Sequence, residues 1–162
     1  RDLRMSRGLG DVYKRQVLLL RKGKPDMEFC RSLNMGVITM TNHIAGKVNS
    51  LYDISIDDEH ICEILAGQNT VLDGEIQNAV RKEVDKYAAD MLNKLRELQV
   101  DLRTNPAIFV GGGSILLRSF IKASSLVSSV EFEPDTRANA HGYELLAQAQ
   151  LEKLARRAGG VI

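Results

Sequence analysis

The residues Gly111-Gly112-Gly113-Ser114 are those whose type and spacing could do chemistry. They follow the apolar run Ala107-Ile108-Phe109-Val110 and precede a helix-compatible stretch, Ile115-Leu116-Leu117-Arg118-Ser119-Phe120-Ile121. The order predicts strand, glycine turn, helix. Glycine has no Cβ, so backbone there can approach a ligand closely, and a helix start presents N–H groups with no intrahelical partner. Together these outline a nucleotide site. The turn is not a Walker A loop, because no Gly-Lys-Ser/Thr ending follows. It is not the dinucleotide fingerprint either: its glycines are consecutive, and no acidic residue sits suitably downstream at a strand end. The same four residues would also serve a tight strand-to-helix turn in which glycine only permits close packing.

Other chemistry-bearing residues form no constellation. His43, His60 and His141 are scattered, without metal-ligand spacing, and read as structural or exposed. Ser114 has no identifiable base and no Gly-x-Ser-x-Gly elbow around it. Asp57/Asp58 and Glu131/Glu133 read as a helix cap and a strand's outward face, not as an acid–base dyad. Cys30 and Cys62 sit in apolar patterns and give neither metal spacing nor a disulfide framework. They read as buried free thiols in a reducing cytoplasm.

The elements that position the glycine turn follow from the patterning of 162 residues, 44% of them apolar and 27% charged, an ordinary globular balance. The net charge of +1 argues neither for nor against nucleic acid. Val17–Leu20 is too short to span a bilayer, and the opening residues lack the pattern of a signal peptide. Val17–Leu20 and Met27–Cys30, around a Gly/Pro turn, predict a hairpin. Val37, Ile38, Met40, Ile44 and Val48 predict one buried helix face, with Met35 and Met40 as core. After the polar connector Asp53–Asp58, a short helix capped by Asp57 or Asp58 carries Ile61, Ile64 and Leu65 and stops at Gly67. Ile76, Val80, Val84, Tyr87, Met91, Leu95 and Leu98 step by threes and fours, a long amphipathic helix of about six turns.

Asn105-Pro106 breaks the pattern before the strand Ala107–Val110 and a helix over Ser114–Ala123. Val127–Phe132 predicts a second strand, and Asp135 or Thr136 caps a closing helix from about Arg137 to Ala158. The fold class is therefore α/β: a mostly parallel sheet flanked by helices, with a small helical insert over about 53–73. Residues 1–16 are aperiodic, basic and without an initiator Met. They resemble a translated sequencing-adapter remnant, the alternative being a natural basic tail. They are set apart from the lobe expected over 17–158, whose native chain would then have been cut just before Val17.

The glycine turn with Ile115-Leu116-Leu117, then Phe132, Asp135 and Ala138-Asn139-Ala140-His141-Gly142-Tyr143-Glu144, resembles the C-terminal end of bacterial actin-like ATPases of the ParM/StbA type. Ser32-Leu33-Asn34-Met35-Gly36-Val37 is similar to that family's turn after the second lobe's hairpin. The resemblance covers about Val17 to Leu154. It implies the second large subdomain of an actin-like (ribonuclease H-like) fold and a plasmid-segregation ATPase that binds ATP with Mg²⁺ between two lobes. By that likeness Gly111, Gly112, Gly113 and Ser114 lie against adenine and the α-phosphate, Leu116 packs on the purine, and Gly36 nears the phosphates or ribose. Asn139 and Gly142 brace helix against strand. Implied partners are the N-terminal lobe, further copies in a filament, and a DNA-binding adaptor, with no direct nucleic acid or membrane contact and a cytoplasmic setting. Both phosphate loops of the family, with their carboxylates, are missing from the sequence, so the chain alone is expected to hydrolyse almost no ATP. A small-molecule kinase of the same superfamily and a non-enzymatic interaction module presenting Glu75–Leu98 are the alternatives.

Overall fold

The computed structural model of the chain describes residues 14–22, 24–133, 135, 137, 138, 141, 142, 144, 145, 148 and 151. A hairpin comes first, β1 (Arg15–Arg21) and β2 (Lys24–Leu33), antiparallel, with Lys22 in the left-handed region at its turn. Three helices follow: α1 (Val37–Tyr52), α2 (Asp58–Ala66) and α3 (Gly74–Glu97). Strand β3 (Ala107–Phe109) leads into α4 (Gly112–Leu116) and α5 (Arg118–Ala123), and β4 (Val130–Phe132) follows. No helix among the described residues is long and apolar enough to cross a membrane.

The helices form where apolar spacing and capping agree. Asp57 accepts the N–H of His60 and opens α2; Gly67, in the left-handed region, ends it. Asp73 accepts the N–H of Ile76 and opens α3, and Lys94 and Arg96 sit at its C-terminal end, where they favour the helix dipole. The expected stripe on α3 is buried from Ile76 to Leu95, while Leu98 at the C-cap is only half-buried. Ala88 and Leu92 are buried too. They widen the stripe because α3 is covered by α1, α2 and α5 together. Met40, Ile44 and Val48 of α1, Ile61 and Ile64 of α2, and Leu117 and Ile121 beside and within α5 complete one core.

Four differences from the sequence reading have physical causes. The strands form two separate pairs among the described residues, one antiparallel and one parallel, instead of one mostly parallel sheet. A tight hairpin satisfies β1 and β2 locally, while β3 and β4 pair only with each other, in the register Ala107↔Val130 to Phe109↔Phe132. β1 begins two residues before Val17, with Arg15 and Gln16 laddered to Leu33 and Ser32, so these two fold with the lobe. The helix expected over Ser114–Ala123 is two helices meeting at Leu117, which is wholly buried. β4 starts only at Val130, because the N–H and hydroxyl of Ser128 both donate to the carbonyl of Leu102 and tie that segment to the preceding loop.

Cys30 is exposed, not buried: strand alternation sets it opposite Leu18 on the open face of the hairpin, while Cys62 is half-buried. The segment 53–73 contributes Ile56, Ile61 and Ile64 to the common core. Asp135 accepts the N–H of Arg137 and starts the closing helix, in which Ala138 and His141 are helical. The alternative cap Thr136, the motif residues Asn139, Ala140 and Tyr143, and the expected helix end at Ala158 lie outside the described residues.

The α2 cap is pH-sensitive. Asp57 accepts from the backbone N–H and from Nδ1 of His60, at 3.1 and 2.7 Å. The side-chain hydrogen bond to Asp57 raises the pKa of His60, and the His60 N–H lowers that of Asp57. A raised histidine pKa stabilises below the ordinary value near 6.5 and is lost as pH rises through the folded value. The stability advantage of the natural chain over His60→Gln is expected at pH 5.5 and gone by pH 8.5, measured by urea unfolding. An advantage independent of pH would remove the ion pair as its cause.

Candidate functional site

The glycine turn lies at the carboxyl end of β3, on the parallel pair. Gly111 has φ 95°, a conformation open to glycine and strained for any other residue, and it is the N-cap of α4. Its carbonyl accepts twice from Ser114, from the N–H at 2.9 Å and from Oγ at 2.6 Å. Ser114 is completely buried, so its hydroxyl is committed within the turn. Gly112 is exposed, Gly111 and Leu116 are half-buried, and Ile115 faces outward. With five residues, α4 has little dipole to offer an anion.

Gly113 faces inward. A Cβ there would overlap Cγ2 of Val37, the first residue of α1, and would lie 3.3 Å from Nη2 of Arg15. The Gly113 carbonyl accepts from that same nitrogen at 3.2 Å. Gly36, the buried N-cap of α1, has its carbonyl turned to the N–H of Met40 at 3.0 Å and the hydroxyl of Tyr87 at 3.4 Å. The structure thus brings together two segments far apart in sequence, Gly36-Val37 and the glycine turn.

Two groups around this junction were missed by the sequence reading. Tyr87 was legible only as a core position of α3; its hydroxyl reaches Gly36, and burial pushes its pKa up to about 12, opposed by the positive charge of Arg15. Arg15 lay in the segment set apart as a tail. Its Nε is buried and has no hydrogen-bond partner, and burial lowers the guanidinium pKa. Neither had a local signal, because both matter through contacts across the fold.

Ser114 is spent within the turn, and among the described residues no histidine or carboxylate hydrogen-bonds to these glycines or to Ser114. Among the described residues no group of three or more His, Cys, Asp or Glu could hold a metal ion. The open grooves along α1 and α3 lie elsewhere. There Glu83 is bracketed by Lys86 and Lys47, which lower its pKa. No protein-family model, curated protein or solved structure matches the chain.

Proposed function

We propose that the chain is the C-terminal, adenosine-binding half of a bacterial actin-like, filament-forming ATPase of the ParM/StbA type, working in plasmid segregation. The observation that supports this reading most is the junction of the glycine turn with the start of α1. The two segments that the resemblance assigns to one nucleotide, Gly36-Val37 and Gly111–Ser114, touch through Val37 and Gly113. The turn also stands at the carboxyl end of a parallel pair, where α/β sheets take their ligands. In this reading Gly112 and Leu116 meet the nucleoside, while Gly113 and Ser114 hold the turn's shape. The carboxylates for Mg²⁺, the other phosphate contacts and the lobe that closes the cleft belong to an N-terminal half. Further copies and a DNA-binding adaptor are the partners.

Titration of the chain with a fluorescent ATP analogue and with adenosine tests this. Saturable binding of both is expected, weakened by Gly112→Val at unchanged melting temperature, with no phosphate release. Failure of both ligands to bind, in this chain and in one carrying the proposed N-terminal half ahead of it, overturns the proposal. Light scattering of the extended protein on addition of ATP separates a filament former from a small-molecule kinase of the same fold.

A second reading takes the same contact as packing alone. The Cβ space of Gly113 is filled by Val37, and Ser114 is bonded within its turn, as a pure packing turn requires. The chain would then be an interaction module, and the adenosine titration decides between the two.

A further inference from the structure

We infer that Arg118 and Lys122 form a cationic rim that receives the phosphate groups of the nucleotide held at the glycine turn; this rests on the reading proposed above. The two residues lie one helical turn apart on α5, on the same side and both exposed. The Arg118 guanidinium carbon stands 5.7 Å, and Lys122 Nζ 5.9 Å, from the centroid of the Phe132 ring. That ring stacks on Phe109 at 5.3 Å. Phe109 and Phe132 end β3 and β4, so both cations stand over the carboxyl end of the parallel pair, and Phe109 precedes Gly111 by two residues in the sequence. The ring faces hold them there through the quadrupole attraction between a cation and an aromatic face.

Neither cation has a carboxylate partner among the described residues. Strand alternation explains why. Glu131, exposed beside Phe132, projects to the opposite face of β4. Glu133 accepts the N–H of Asp135, whose own carboxylate takes Arg137 and His141. The nearby acids are turned away or already paired, leaving two like charges one turn apart, an arrangement that an anion relieves. Adenosine carries no charge and ATP several, so the rim sorts ligands by their phosphates and not by their base.

The test is calorimetric titration of the full chain with adenosine, ATP and inorganic tripolyphosphate, repeated on Arg118→Gln/Lys122→Gln. Both residues are exposed, and thermal unfolding of the variant verifies its fold. ATP affinity is expected to fall roughly tenfold, as for loss of two exposed charge-assisted contacts, with adenosine affinity unchanged. Tripolyphosphate is expected to shift the amide resonances of α5. Where the ligands bind the natural chain, equal losses for ATP and adenosine, or no loss for either, overturn the rim. An acidic polyglutamate peptide that shifts α5 where tripolyphosphate does not assigns the rim to a protein surface and overturns it as well. If neither adenosine nor ATP binds while tripolyphosphate still shifts α5, the glycine-turn reading fails and the rim stands as an anion site.

Discussion

Gly113→Ala is expected to destabilise the chain by about 2 kcal/mol, the range for forcing a methyl group into a packed interior. The added carbon would overlap Cγ2 of Val37. Valine is stiff at χ1 within a helix, and Val37 is the first helical residue of α1, so the clash is relieved only by parting α1 from the glycine turn. The cause is steric, since Gly113 is not among the positive-φ residues. Gly111 presents the converse: φ is 95° but nothing lies within 4 Å of a Cβ there, so Gly111→Ala strains the backbone without a clash. A double-mutant cycle separates these effects. Val37→Ala should recover much of the loss at Gly113 and none at Gly111, in denaturant unfolding. Equal stability of Gly113→Ala and the natural chain would mean that the turn and α1 are not in contact. The cycle also isolates structure from binding: Gly112 is exposed and outside this contact, so its substitution should spare stability.

The sequence was most informative where local chemistry decides the outcome. Apolar residues at threes and fours marked α3, and the Asp57-Asp58 pair and Gly67 bounded α2, with Asp57 proving to be the cap, because caps act within one turn. The glycine turn was placed after its strand because glycines interrupt both strand and helix patterns. Contacts across the fold were beyond reach. Periodicity tells which face of a strand is apolar but not which edge meets which, so the two separate strand pairs were read as one sheet. Alternation could not say that the hairpin face bearing Leu18 and Cys30 is the open one. Ser114, a ligand contact by resemblance, is turned inward by a hydrogen bond to Gly111 that no spacing reveals. Mixed α/β character was legible; the actin-like arrangement remains part of the proposal.

Ile64→Ala is expected to be the most damaging core change, about 3 kcal/mol within the range for isoleucine truncation at sites that cannot collapse. Ile64 has no exposed surface, and α2 packs on α1, α3 and α4, so the cavity has walls on several elements. Its carbonyl is held from α3 by Arg81 Nη2 at 2.8 Å, which restrains the helix from settling into the gap. For a chain of this size the loss corresponds to roughly 6–12 °C in Tm. The shape of the transition carries the further information. If 53–73 were a lobe attached by its ends, the variant would add an early transition and leave the main one in place. A core shared by Ile61, Ile64, Met40 and Val84 instead moves one cooperative transition as a unit. Hydrogen exchange gives the same distinction without mutation: α2 amides should open with those of α3, since a helix whose apolar face is the common core cannot leave while that core persists.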